Sequence, residues 1–140
     1  MAPRLPVVVV GVDGSEESEH ALRWAAEYTH QLGGVVHVIT VWHQPVQFGY
    51  RLVQSDADLE DRARKSQEKV VAPVREQFPA VDIRTRLLRG HVVDEFMGLS
   101  KQADLLVLGN RGHGAFGGML LGSAALKLVQ HAHCPVTVVR

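Results

Sequence analysis

The run Gly109-Asn110-Arg111-Gly112-His113-Gly114-Ala115-Phe116-Gly117-Gly118-Met119-Leu120-Leu121-Gly122-Ser123 follows directly on the apolar stretch Asp104-Leu105-Leu106-Val107-Leu108. A strand that enters a glycine-rich loop and then a helix is a common way to hold phosphate. Glycines let main-chain N–H groups turn inward around an anion, and the following helix adds unpaired N–H groups and the positive end of its dipole. Within the spacing Gly109-x2-Gly112-x9-Gly122-Ser123, Gly109 and Gly112 allow close approach to phosphate. Gly122 and Ser123 open the next helix, and Ser123 can offer an amide and a hydroxyl to one phosphate oxygen. Arg111 and His113 are candidate charge partners. The chemistry this pattern serves is nucleotide binding.

A second segment, Gly11-Val12-Asp13-Gly14-Ser15, closes the first valine-rich run. Asp-Gly-Ser ahead of a helix is often a turn or cap. At the end of a central strand Asp13 is also a candidate to accept a hydrogen bond from a ribose hydroxyl, or to help hold a magnesium ion. His131-x-His133-Cys134 invites a metal reading, but structural zinc takes four ligands. Cys134 is the single cysteine and no matching histidine pair stands at a usual spacing.

These residues need a scaffold, and the apolar runs supply one. Val7 to Val12, Val35 to Trp42, Asp104 to Leu108 and Pro135 to Val139 read as buried strands, rich in valine and with little alternation. Val81 to Leu87 does alternate, and its charged face marks an edge strand. Ser15 caps a first helix with Glu16 and Glu17 in its first turn, and Gly33-Gly34 stops it. A second helix spans about Asp56 to Phe78 with Leu59, Ala63, Ser66, Val70 and Val74 on one stripe. Pro73 is expected to kink it or end it early. Val93, Phe96, Met97 and Ser100 mark a third helix, Ser123 to His131 a fourth. His43 to Ser55, with Pro45 and Gly49, reads as a mobile loop that leaves closure over a ligand open. Trp24 and Trp42 read as packing residues.

The alternation β-α-β-α-β-α-β-α-β gives an α/β fold: an open five-stranded parallel sheet, strand order 3-2-1-4-5, with helices on both faces. The switch point then lies between the first and fourth strands, where ligands of such sheets bind. Asp13 and Gly109 converge there. The last strand, Pro135 to Val139, is followed only by Arg140 and would be a bare apolar edge. A second copy covering it predicts a homodimer.

With 140 residues, 46% hydrophobic and 21% charged, the chain reads as one domain, residues 1–140. Fifteen basic and fifteen acidic residues argue against a nucleic-acid partner. No stretch has the length of a membrane span or the pattern of a signal peptide, and the lone cysteine fits a cytoplasmic protein.

Taken together, Gly109 to Ser123, the opening Val8-Val9-Val10-Gly11-Val12-Asp13-Gly14-Ser15 and the closing His131-Ala132-His133-Cys134-Pro135-Val136 resemble the universal stress protein family, on its ATP-binding branch. The likeness covers essentially the whole chain. It implies a Rossmann-like fold of the adenine nucleotide alpha hydrolase-like kind, and a cytoplasmic homodimer that binds ATP and regulates an unknown protein partner under stress. On that pattern Val12 and Asp13 lie by the ribose and adenine and Val41 near the adenine. Gly109, Arg111, Gly112, Gly122, Ser123 and Ala124 surround the phosphates and ribose. Asn110 departs from the pattern, which more often has Ser or Thr there.

Turnover finds less support. The loop is not Gly-x4-Gly-Lys-Ser/Thr, and no lysine stands where it would reach terminal phosphates. No Gly-x-Ser-x-Gly elbow is present, and Asp13 lacks the acidic neighbours of a receiver domain. Hydrolysis needs a positioned base or metal cluster at the terminal phosphate. The expectation is ATP binding without efficient turnover. The alternatives are a slow ATPase or autophosphorylating protein, and a cyclic-AMP-binding protein using the same loop.

Overall fold

The computed structural model describes residues 4–44, 46–47, 50–51, 54–110 and 122–140. In chain order the elements are β1 (Val7–Gly11), α1 (Glu16–Leu32), β2 (Val35–Trp42), β3 (Val46–Gln47), β4 (Tyr50–Arg51), α2 (Asp56–Gln77), β5 (Asp82–Arg89), α3 (Val92–Ser100), β6 (Leu105–Gly109), α4 (Ser123–His131) and β7 (Val136–Val139). The five longer strands form one parallel sheet in the order β5-β2-β1-β6-β7. That is the 3-2-1-4-5 arrangement expected from the strand pattern. Within His43 to Ser55, read as a loop, Val46–Gln47 and Tyr50–Arg51 pair antiparallel.

β1 is central because it is apolar on both faces. Val8 and Val10 are fully buried in the cluster with Ala21, Leu22, Ala25, Val70 and Val74 under α1 and α2. Val9 enters the opposite cluster with Ile39, Phe96, Leu106 and Leu128, under α3 and α4. Each such side chain contributes roughly 1.5–3 kcal/mol of burial. β5 carries Asp82, Arg84, Arg86 and Arg89 and has one buried residue, Ile83, so it can only lie at an edge.

The helices start where their caps stand. Ser15 Oγ accepts from the Ser18 N–H at 3.1 Å and Ser55 Oγ from the Asp58 N–H at 3.1 Å. Gly33, at φ +80 and ψ 168, ends α1 in an extended conformation open to glycine, and its N–H donates to the Thr29 carbonyl at 2.8 Å. Pro73 does not end α2, which continues to Gln77. Its ring is exposed, as is Lys69 four residues earlier, so the carbonyl it strips of a donor can be hydrated. Buried Val70, Val71 and Val74 hold the helix on both sides of it. Trp24, read as a packing residue, packs at the surface: it stacks on Tyr28 at 5.3 Å and is 36% exposed.

Asp104 ties the start of β1 to β6. Its Oδ2 accepts from the Val7 N–H at 2.7 Å, its Oδ1 from Arg4 Nη2 at 2.8 Å, and its own N–H donates to the Val7 carbonyl at 2.9 Å. The Val7 bond above all, with Arg4, holds this carboxyl below its ordinary range against the opposing effect of burial. A depressed carboxyl stabilises the fold above its unfolded value near ~3.9 and loses that contribution as pH falls through the folded value. Asp104→Asn should therefore lower Tm at neutral pH, and a melting series should find the gap to wild type closing below about pH 4.

Candidate functional site

The C-terminal ends of β1 and β6 lie side by side, with Val8, Val9 and Val10 in register with Leu105, Leu106 and Val107. The chain leaves β1 toward α1 and reaches β6 from α3, so this is the switch point of the sheet. Val12 is buried just past β1. Its N–H donates to the Ile39 carbonyl at 3.0 Å and its carbonyl accepts from Thr40 Oγ1 at 2.7 Å. Asp13 is exposed beyond it, and its Oδ1 accepts from the Ser15 N–H at 3.0 Å and the Ser15 hydroxyl at 2.5 Å. Asp13 thus orients the residue that caps α1. Gly14 sits at φ +88, a left-handed conformation that favours glycine, and its added Cβ would lie 3.1 Å from Ser66 Cβ of α2.

The glycine loop is tied at its base. Asn110 donates to the Val139 carbonyl at 3.0 Å, and the Gly122 N–H donates to the Asn110 carbonyl at 3.1 Å. The chain therefore leaves β6 and enters α4 from the same place. Arg111, Gly112 and His113 lie outside the described residues. Ser123 and Ala124 form the first turn of α4, behind Gly122 as its N-cap.

The two ends of the motif differ. A Cβ on Gly109 would stand 2.9 Å from the carbonyl oxygen of Glu17 and 3.0 Å from its carbon, so α1 already fills that space. Gly109 lets the first turn of α1 close on the end of β6. A Cβ on Gly122 meets no described atom within 4 Å, and its backbone, φ −54 and ψ 146, suits any residue. Val41, expected beside an adenine, is half-buried and packs against the α3-side cluster.

Sequence reasoning missed a buried polar link beneath the site. Gln67 Nε2 donates to Thr40 Oγ1 at 3.1 Å and to the Arg86 carbonyl at 2.9 Å, while the Thr40 hydroxyl holds the Val12 carbonyl. Both side chains are buried, so each needs its partners. The signal was a threonine inside an apolar strand and a glutamine in line with the Val70 and Val74 stripe. Among the described residues no group of three or more His, Cys, Asp or Glu side chains is placed to hold a metal. Cys134, its thiol held up by burial and by Asp104, remains protonated at neutral pH. No helix among the described residues is long and apolar enough to cross a membrane.

Known proteins agree with this architecture. A universal stress protein of Mycobacterium tuberculosis is 31% identical over 154 residues, covering 94% of this chain and 47% of its own length. Another from that organism is 33% identical over 142 residues, covering 94% and 46%. The chain thus spans about half the length of the curated relatives it matches. Among solved structures, a universal stress protein in complex with cAMP aligns with a TM-score of 0.73 at 26% identity, over 99% of both chains. The universal stress protein UspA of Lactobacillus plantarum aligns with a TM-score of 0.75 at 22% identity, over 99% of this chain and 100% of its own. The model of the universal stress protein family matches residues 6–140, and the chain belongs to that family.

Proposed function

We propose that this protein binds an adenine nucleotide, ATP, in the crevice where β1 and β6 end, and acts in the cytoplasm as a homodimeric regulator of a stress response. The observation that carries the reading is the bare N-terminus of α4. α1 and α2 have serine caps and acids in the first turn, and α3 has Asp94 and Glu95. α4 begins at a glycine, with no side-chain cap and no acid. The N–H groups of Ser123, Ala124 and Ala125 have no acceptor among the described residues, and the helix dipole adds partial positive charge there. Phosphate suits such an end. Gly122 supports the assignment, since neither its conformation nor a described neighbour calls for glycine, whereas close approach of an anion does.

In this reading Gly109, Arg111, Gly112 and His113 complete the phosphate cradle with Gly122, Ser123 and Ala124. Val12, Asp13 and Val41 border the ribose and adenine. A magnesium ion would be held by the phosphates, with Asp13 as the protein's carboxylate. Two copies would meet along β7. Its four residues are each only half-buried, and Leu126 and Val129 of the adjoining α4 are 46% and 48% exposed, an apolar margin that a second copy would cover.

The relative solved with cAMP supports an adenine ligand and favours a second reading, cAMP in the same crevice. Extracting the purified protein separates the two: retained intact ATP, displaced poorly by cAMP, is the expected result. Displacement of ATP by equimolar cAMP supports the second reading, and stoichiometric ADP or a phosphorylated hydroxyl would indicate turnover. Light scattering on the same sample should report twice the mass of one chain.

A further inference from the structure

The two edges of the sheet differ in chemistry, and the charged one is open. The Gly90 N–H donates to the Trp42 carbonyl of β2 at 2.9 Å. Main-chain groups alternate along a strand, so Arg84, Arg86 and Leu88 turn theirs toward β2 while Ile83, Thr85 and Leu87 turn theirs outward. Arg75 Nη2 takes the Ile83 carbonyl at 2.7 Å. The outward N–H and C=O groups of Thr85 and Leu87 have no partner among the described residues. Alongside, between β5 and α2, runs a groove of about 540 Å³ lined by Gln67, Val71, Thr85 and Leu87 and bordered by both signs of charge, Arg64 and Arg75 with Glu60 and Glu68. It leaves room for the side chains of an added strand.

The other face of β5 supplies charge. His37 is in register with Arg84 and Ile39 with Arg86, so His37, Arg84 and Arg86 stand on the α3 side of the sheet with Ile39. α3 and α4 pack on Ile39, Val9 and Leu106, leaving Arg84 and Arg86 exposed. Arg84 Nη2 pairs with Asp82 at 3.0 Å, and Arg86 has no carboxylate partner among the described residues.

We propose that β5 is a docking edge for an extended acidic polypeptide, which adds as a strand beside Thr85 and Leu87 and sets alternate acidic side chains against Arg84 and Arg86. Unpaired strand groups are satisfied in register by another main chain, and two arginines two residues apart match the period of an extended segment. A second copy of β5 would bring arginine against arginine. Nucleic acid would want a longer basic stripe, and Asp82 interrupts this one. The proposal is independent of the nucleotide site.

A fluorescent peptide alternating Glu and Thr, titrated into the full chain at low salt, tests it by anisotropy. The expected result is saturable binding that weakens about tenfold or more in the Arg84→Glu/Arg86→Glu variant and also in Thr85→Pro. Thr85→Pro removes only an outward N–H, which an edge strand tolerates. His37 adds a check. Burial first, then Arg84 and Arg86, hold its pKa below the ordinary value, while Asp82 acts in the opposite sense. Protonation adds positive charge to the patch, so binding should tighten as pH falls through that value. If either variant fails to fold, amide spectra of the wild type decide: Thr85 and Leu87 must shift on peptide addition. Absence of binding, binding indifferent to Thr85→Pro, or equal displacement by a single-stranded oligonucleotide would overturn the proposal.

Discussion

Gly122→Val should weaken nucleotide binding about a hundredfold or more and leave the fold standing. The substitution costs little locally. At φ −54 and ψ 146 valine is unstrained, and no described atom lies within 4 Å of the new Cβ. Valine is a poorer N-cap than glycine, at a cost below about 1 kcal/mol. Binding is another matter, because the branched side chain would stand between an incoming phosphate and the first N–H groups of α4. Charge-assisted hydrogen bonds contribute about 1.5–3 kcal/mol each. Losing two should weaken affinity roughly a hundredfold or more. Isothermal titration with ATP, paired with a thermal melt, checks both halves. A variant that binds normally would remove the phosphates from this helix end.

Gly109→Ala should strike the fold itself. One methyl group is enough, since its carbon would lie 2.9 Å from the Glu17 carbonyl oxygen and 3.0 Å from the carbonyl carbon. That obstacle is the main chain of α1, which cannot swing aside like the tip of a side chain. Either α1 lifts from the end of β6 or β6 shifts away from β1. Overpacking of this kind costs about 2 kcal/mol, or roughly 8 °C in Tm for a chain of this size. A denaturant or thermal melt without nucleotide reads the loss. Within one motif, then, one glycine is required by the fold and the other by what the fold is proposed to hold.

That division was not legible in the sequence, where Gly109 and Gly122 look like equal parts of one phosphate loop. The scaffold was legible. Valine on both faces of β1, charge along β5 and serine ahead of α1 are local signals, and each decides an element or its place in the sheet. What sequence reasoning could not supply depends on distant pairs. Gln67 meets Thr40 only because α2 folds back over β2, and Glu17 meets Gly109 only because α1 starts beside the end of β6. That Pro73 does not end α2 early has a related reason. Proline costs a helix one hydrogen bond and a ring clash, and the burial of Val70, Val71 and Val74 on both sides of it outweighs that cost.

An ATP site formed by the ends of β1 and β6 and the start of α4 has a direct spectroscopic signature. Titrating ATP into isotopically labelled protein and following backbone amides tests it most directly. Saturable shifts are expected at Asp13, Gly109, Ser123 and Ala124, with the N–H groups at the start of α4 moving most. Shifts that leave the first turn of α4 untouched, or no binding at millimolar ATP, would contradict it.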